Sequence, residues 1–219
     1  MAEVIKHLSK QVLILSLVTC HCSSALFQAL TYVHEKGWLH RDVKPATILM
    51  SFVGGLDAAA ASGANTRLDT VKLADFGWAR RLPTGPTGML TQDAYTLWYR
   101  CPEVLLGTAI YGPSSDVWAM GCVCVEMSEF RPTFPCTSEI GILFKIFDTF
   151  GTPTVKKWPQ LPMLPSYSFG KFPRFLGGKG LQWGSRIGAQ FRSLLQGVLK
   201  VVPDHRWSAA SAAKYLSTA

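Results

Sequence analysis

The spacing of apolar positions along the chain predicts a mainly helical fold. From residue 12 to residue 35 the apolar side chains recur at helical spacing, with Leu26, Leu30 and Val33 on one face. A glycine at position 37 follows this run and predicts the end of the helix. Four later apolar runs predict further helices, at 116–127, 140–150, 189–199 and 208–216.

Two short runs with β propensity predict a hairpin. Residues 48–52 and 70–73 have the composition of strands and should pair with each other. Residues 53–69, between them, are rich in Ala, Gly and Ser, which is typical of a long hairpin loop. The expected fold class is therefore mainly α with a short β-hairpin.

The first residues allow two interpretations. Lys6, Lys10, an apolar run and small residues up to Ala25 imitate a signal peptide with a cleavage site. The alternative, which we favour, makes the apolar run part of the long helix and leaves residues 1–11 unassigned. The run is too short to span a bilayer. We therefore expect no membrane association, and a cytoplasmic or nuclear location.

Composition and charge restrict the possible partners. The chain has 219 residues, of which 48% are hydrophobic and 16% charged, as expected of a globular protein with a sizeable core. The net charge of +8 suits an anionic ligand such as ATP, a phosphopeptide or nucleic acid. The basic residues are scattered without a long run, so a nucleic-acid partner is not expected.

The cysteines are expected to be free thiols. Two pairs have a single residue between them, whereas the ligands of a zinc site are usually spaced more widely. Both pairs also lie in apolar runs with helical character, which favours burial and a reducing compartment. The six positions are Cys20, Cys22, Cys101, Cys122, Cys124 and Cys136.

Two polar stretches carry the candidate chemistry. Residues 40–49 read His-Arg-Asp-Val-Lys-Pro-Ala-Thr-Ile-Leu, and residues 75–77 read Asp-Phe-Gly. The first presents an acid and a lysine before an apolar strand, and the second presents an acid on a turn. Together they resemble the catalytic loop and the metal-binding triplet of the protein kinases. One position departs from that pattern, because Thr47 stands where the family has Asn.

The resemblance implies a kinase that uses ATP and Mg²⁺. Asp42 would accept the proton of the substrate hydroxyl, and Lys44 would bring a cation to the transferring phosphate. Asp75 would hold Mg²⁺ and face the cleft, with the neighbouring Phe packed under the long helix. Thr47 would be a weak second metal ligand, and Leu49 would form the floor beneath the adenine unless it is simply a buried hairpin leucine.

Residues 75–103 resemble the activation segment of the cyclin-dependent kinases, because residues 96–103 read Thr-Leu-Trp-Tyr-Arg-Cys-Pro-Glu. Thr91 matches the position that is phosphorylated in that branch, although an unmodified loop threonine is the alternative. Arg41 and Arg80 match two of the arginines that hold the added phosphate.

Two further positions of this segment match residues that act on the substrate. Thr96 matches the residue that hydrogen-bonds the Asp42–Lys44 pair. Arg100 matches the arginine that engages the backbone near Tyr95 and leaves a pocket for a proline after the target residue.

Three positions are expected to stabilise the C-terminal lobe of the kinase fold that the resemblance implies. Asp116 should accept hydrogen bonds from the backbone at residues 40–41, although an acid that opens a helix could simply be its cap. Glu103 and Arg206 should form a buried ion pair. Residues 152–188 resemble an insert of the same branch, and its aromatic residues form either core under a long loop or a docking surface: Trp158, Tyr167, Phe169, Phe172 and Phe175.

The resemblance covers residues 12–219 and implies the C-terminal lobe of a kinase. No Gly-x-Gly-x-x-Gly run occurs in the sequence, so the β-rich N-terminal lobe is expected to be missing. The favoured function is a Ser/Thr kinase that acts before proline on a protein substrate, with a cyclin-like or other regulatory partner, and is impaired as an isolated chain. A pseudokinase that serves as a binding scaffold and a non-functional truncated product are the alternatives.

Overall fold

The fold is known from a computed structural model. It describes residues 2–53, 68–82, 90, 96–167, 172–176, 178–181 and 187–218, with side chains from residue 19 onward. The helices within these residues are α1 (Ala2–Glu35), α2 (Pro102–Leu105), α3 (Pro113–Glu129), α4 (Glu139–Phe150), α5 (Ala189–Val198) and α6 (Ala209–Ser217).

Helix α1 is the long helix that the apolar spacing predicts, but it begins at Ala2 rather than near residue 12. The sequence has no Gly or Pro between residues 2 and 35, so nothing in it interrupts helical hydrogen bonding. Leu26, Phe27 and Leu30 are completely buried in the core. Among the described helices, none has the length and apolar character needed to cross a membrane.

The core is built around α3, which packs against α1 and α5. Trp118 of α3 is fully buried and stacks on Phe134, with ring centroids 5.9 Å apart. Helix α1 also packs against α6, and α2 packs against α4. These contacts bury α3 on all sides from Ser115 to Val125, and the loops between the helices carry the site.

Two antiparallel pairs of strands lie on the site side of this core. Strand β2 (Ile48–Phe52) pairs with β3 (Leu68–Leu73), with Ile48 opposite Leu73, so the predicted hairpin is present and β3 starts two residues earlier than expected. Strands β1 (Trp38–Leu39) and β4 (Arg80–Arg81) form a second pair that the sequence pattern did not predict. Two residues are too few to show a period of alternation.

The segment after α4 is packed against the core. Trp158 is buried, and Phe172 stacks on Tyr167 with ring centroids 5.6 Å apart. Phe172 also meets Phe147 of α4 edge to face. Phe175 packs on the core as well, whereas Phe169 lies outside the described residues. The described aromatic residues of 152–188 therefore favour the core interpretation over a docking surface.

The six cysteines are free thiols, and Cys22, Cys101, Cys122 and Cys124 are buried. Burial raises the pKa of the Cys124 thiol to about 12, against a smaller opposing effect of its hydrogen bond with Ser23. Cys20 and Cys136 are half-buried. No group of three His, Cys, Asp or Glu residues suited to a metal occurs in the described part of the chain.

Candidate active site

The loop at residues 40–47 is held in shape by Asp116 of α3. Its two carboxylate oxygens accept hydrogen bonds from the backbone N–H groups of His40 and Arg41, both at 2.9 Å. Arg41 adopts a left-handed backbone conformation with φ of 68°, which an unsupported arginine rarely adopts. The carboxylate therefore supports a conformation that the chain would not choose locally.

His34 of α1 completes the surroundings of this carboxylate and is a contact that the sequence analysis missed. Its Nε2 lies 2.9 Å from Asp116 Oδ2. Burial alone would raise the pKa of Asp116, but the hydrogen bonds from His34 and from the loop backbone outweigh burial and keep that pKa below its usual range. His34 directly follows Val33, a residue of the apolar face of α1, and this position is the signal from which the contact could have been predicted.

His40 joins the loop to the Asp75 turn. Its Nε2 is 2.9 Å from the carbonyl oxygen of Ala74, and the N–H of Ala74 donates to Thr47 O at 2.8 Å. The His40 ring packs on Phe76, with centroids 4.8 Å apart. Phe76 is 48% exposed and sits on this histidine, so its expected place under the long helix is wrong. The contact of the exposed Phe76 ring with His40 still connects the turn to the loop.

Asp42, Lys44 and Thr96 form a closed triangle of side chains. Lys44 Nζ lies 2.6 Å from Asp42 Oδ2 and donates to Thr96 Oγ1 at 3.1 Å. The Thr96 hydroxyl donates to Asp42 Oδ1 at 3.0 Å. Both oxygens of the carboxylate are therefore held by neighbours, which fixes the direction in which it faces a substrate.

Asp75 is exposed, and the residue before it is hydrogen-bonded to the loop at residues 40–47. It adopts a left-handed conformation with φ of 63°, and its Oδ1 accepts a hydrogen bond from Gly77 N at 3.3 Å. Mg²⁺ is usually bound through one or two carboxylates together with substrate phosphates and water. A single exposed carboxylate next to the catalytic loop fits that kind of metal site.

Thr47 is directed into the loop. It is 1% exposed, and its hydroxyl lies 3.0 Å from both Asp42 O and Lys44 O and 3.2 Å from Lys44 N. A hydroxyl has one proton and two lone pairs, so these contacts use most of its capacity. This arrangement does not fit the weak metal ligand expected at this position, because the oxygen braces the backbone instead.

Leu49 is exposed on β2, opposite Lys72 of β3. Its side chain is 58% exposed. The structure therefore excludes the interpretation that Leu49 is a buried hairpin leucine. A flat apolar group could lie against this side chain within a few residues of the loop.

The two arginines expected near a phosphate differ in exposure. Arg41 is 1% exposed, and its guanidinium lies 5.8 Å from the centre of the Tyr111 ring. Burial raises the pKa of Tyr111 to about 12, although Arg41 opposes that rise. Arg80 is exposed and donates to Ala79 O. Thr91 lies outside the described residues.

Arg100 is paired with Glu139, the first residue of α4. The neighbouring Trp98 donates from Nε1 to the carbonyl oxygen of Cys136 at 2.8 Å. Tyr95, whose backbone Arg100 was expected to engage, lies outside the described residues. The sequence analysis missed Glu139, which is recognisable only as an acid that opens a helix.

Glu103 and Arg206 form a buried bidentate ion pair with both N–O distances at 2.6 Å. The same guanidinium donates to Lys200 O at 2.7 Å and lies 5.0 Å from the Trp118 ring centre. Burial alone would lower the pKa of Arg206, but the Glu103 carboxylate outweighs it and raises that pKa.

Comparison with known proteins gives consistent matches. Residues 1–216 match the family model described as "Protein kinase domain". The chain is 37% identical over 188 residues to cyclin-dependent kinase 2 of Caenorhabditis elegans, covering 85% of this chain and 46% of that protein. It is 35% identical over 186 residues to cyclin-dependent kinase F-4 of Oryza sativa subsp. japonica, covering 84% and 36%.

Solved structures agree in fold. The yeast RNA Pol II CTD kinase CTDK-1 complex matches with a TM-score of 0.72 and 28% identity, over 90% of this chain and 60% of that chain. The CAK complex from Chaetomium thermophilum bound to ATP-gamma-S matches with a TM-score of 0.74 and 27% identity, over 93% and 62%. The chain spans less than half the length of both curated relatives.

Proposed function

The chain belongs to the protein kinase domain family and resembles its cyclin-dependent branch, and from this we propose that it carries the phosphoryl-transfer face of a Ser/Thr kinase. The observation that carries the proposal is the triangle of Asp42, Lys44 and Thr96. Phosphoryl transfer requires accurate positioning and neutralisation of phosphate charge more than covalent help. A carboxylate fixed at both oxygens beside a lysine supplies these two requirements.

The roles follow from the positions of the side chains. Asp42 takes the proton of the substrate hydroxyl as the hydroxyl oxygen bonds to the γ-phosphorus of ATP. The bond between that phosphorus and the bridging oxygen of the β-phosphate breaks, and ADP leaves. Lys44 contributes positive charge to the phosphoryl group, and Thr96 keeps the carboxylate aimed. Mg²⁺, when bound, would neutralise phosphate charge, and Asp75 is the residue that would hold it. Leu49 offers its exposed side chain to the adenine ring.

We further propose that these residues form only one face of the nucleotide site. The sequence contains no Gly-x-Gly-x-x-Gly run to cover the phosphates, and the Thr47 hydroxyl is occupied by loop backbone rather than turned toward a metal. Water that reaches the open side weakens each electrostatic contact. Transfer by residues 1–219 alone is therefore impaired. The buried Thr47 hydroxyl also favours the second candidate function, a non-catalytic binding module.

The substrate and partner proposals rest on Arg100 and on the similar structures. A protein Ser/Thr followed by proline would place its proline beside Arg100. Both solved structures named above are described as complexes, which supports a cyclin-like or other regulatory protein as a partner here. Phosphorylation of Thr91, bound by Arg41 and Arg80, would then regulate the segment. A cytoplasmic or nuclear location is consistent with such partners.

The proposal is tested by using NMR to measure how tightly residues 1–219 bind ATP, with and without Mg²⁺. We expect weak ATP binding that Mg²⁺ strengthens, and we expect Asp75→Asn to remove the Mg²⁺-dependent part because the metal-binding carboxylate is lost. Asp69→Asn is the matched control, since Asp69 is an acid of β3 that contacts Ser51 on the exposed hairpin. Equal Mg²⁺ dependence in Asp75→Asn and wild type would contradict the assignment of the site.

A further inference from the structure

The turn at residues 97–99, followed by Arg100, is attached to the rest of the protein at both ends. At its inner end, Thr96 belongs to the triangle with Asp42 and Lys44. At its outer end, Trp98 and Arg100 contact residues 136–139, where α4 begins. Because a rigid turn transmits the position of one end to the other, the contacts at α4 bear on the substrate side of the site.

Two contacts make the outer attachment. The Trp98 indole donates to Cys136 O at 2.8 Å, and the Arg100 guanidinium binds the Glu139 carboxylate. The Arg100 side chain is 15% exposed, whereas that of Glu139 is 57% exposed. Tyr99, between them, is turned inward and donates to Glu126 of α3 at 2.8 Å. Glu139 is therefore the partner that reaches the solvent-exposed surface.

Glu139 is also well placed to hold its charge. It lies in the first turn of α4, where Ser138 caps the helix by accepting a hydrogen bond from Gly141 N at 3.2 Å. A negative side chain is favoured at this end of a helix by the helix dipole. An ion pair with a planar guanidinium also restricts the arginine in direction as well as in position.

We propose that Glu139 is a positioning residue that fixes Arg100 and so sets the preference for the residue after the target hydroxyl. This inference rests on the proposed function, since it assumes that a peptide binds beside Arg100. Without Glu139, the guanidinium would lose its charged partner on α4 and would be less restricted in orientation beside the bound peptide. Selectivity would then fall while the Asp42–Lys44–Thr96 triangle remained in place.

The test compares two short labelled peptides that differ only in having Pro or Ala after Ser. Binding of each to residues 1–219 is measured by fluorescence anisotropy, so no phosphoryl transfer is needed. We expect wild type to prefer the Pro peptide and Glu139→Gln to reduce that preference by up to roughly fivefold, about the upper end of what a solvent-exposed ion pair contributes. Glu139→Asp, which keeps the charge on a shorter side chain, should retain part of it.

Asp148→Asn is the matched control, because it removes an acid from the same helix that pairs with Lys179 at 2.9 Å. It should leave the preference unchanged. Hydrogen exchange of residues 97–101 is measured in parallel and should become faster in Glu139→Gln only. An unaltered preference in Glu139→Gln would overturn the inference. Equal binding of both peptides by wild type would overturn the proline preference itself, which belongs to the proposed function, whatever the exchange data show.

Discussion

Arg206 holds both carboxylate oxygens of Glu103 while its guanidinium lies 5.0 Å from the centre of the Trp118 ring. The pair is buried, and it joins α2, which contains Glu103, to the chain between α5 and α6. Three different parts of the fold therefore meet at one guanidinium. An interaction of this kind is costly to remove by half, because the remaining charge stays buried without its partner.

We expect Arg206→Ala to destabilise the protein by about 3–5 kcal/mol, since Glu103 would be left as an uncompensated buried charge. The melting temperature should fall by roughly 10 °C for a chain of this size. The measurement is thermal unfolding followed by circular dichroism, with the exposed Arg174 changed to Ala as the control. An unchanged melting temperature in Arg206→Ala would refute the importance of the pair.

Asp116 should make stability depend on pH in the acidic range. Its pKa is lower in the folded chain than in the unfolded one, so folding favours its ionised form. The stabilisation is complete above the ordinary pKa of an aspartate, about 4, and is lost as the pH falls through the folded value. The free-energy difference between wild type and Asp116→Asn, from urea unfolding, should therefore shrink below about pH 4. A constant difference from pH 7 to pH 3 would be inconsistent with this.

Thr47→Val should loosen the loop without changing its shape. The substitution preserves the volume of the side chain but removes the hydroxyl that contacts Asp42 O and Lys44 N. We expect a loss of about 1–2 kcal/mol in the free energy of unfolding, the usual effect of unsatisfied buried polar groups. Thr47→Ser retains the hydroxyl and serves as the control. Equal stability of the Val and Ser variants would show that the hydroxyl is not a brace.

Residues 1–219 alone should respond little to nucleotide. On our proposal that these residues form only one face of the nucleotide site, a few millimolar MgATP should raise the melting temperature by less than about 1 °C, because stabilisation grows only as the logarithm of ligand over Kd. Differential scanning fluorimetry measures this shift. A rise of several degrees would show that the isolated chain binds nucleotide well. Peptide phosphorylation that Asp42→Asn abolishes would show that it is a competent kinase.

The helices and the hairpin were predictable because each has a strong local signal. The apolar face of α1 and the paired runs at β2 and β3 follow the periods of helix and strand. The sequence analysis expected α3 to start at residue 116, whereas it starts at Pro113, where a proline at the first turn gives up no hydrogen bond. Local patterns therefore predicted the hairpin and the five longer helices and erred mainly at their ends, whereas the short α2 and the β1–β4 pair were not predicted.

The site was predictable in its composition but not in all of its contacts. The motif supplied Asp42, Lys44 and Asp75, whereas the contacts of Asp116 with His34 and of Arg100 with Glu139 join residues far apart in sequence. Thr47 illustrates the limit most clearly. Its residue type suggested a poor metal ligand, and only its burial in the loop shows that the oxygen has other partners.

The two small sheets have a consequence for how the protein could change in length. Strands β2 and β3 pair on either side of residues 54–67, and β1 pairs with β4 on either side of the whole span from the catalytic loop to the Asp75 turn. Each pairing holds together the two ends of the segment that lies between its strands. Insertions or deletions within 54–67 can thus accumulate, or a reporter be grafted there, while Asp42 and Asp75 keep their spacing.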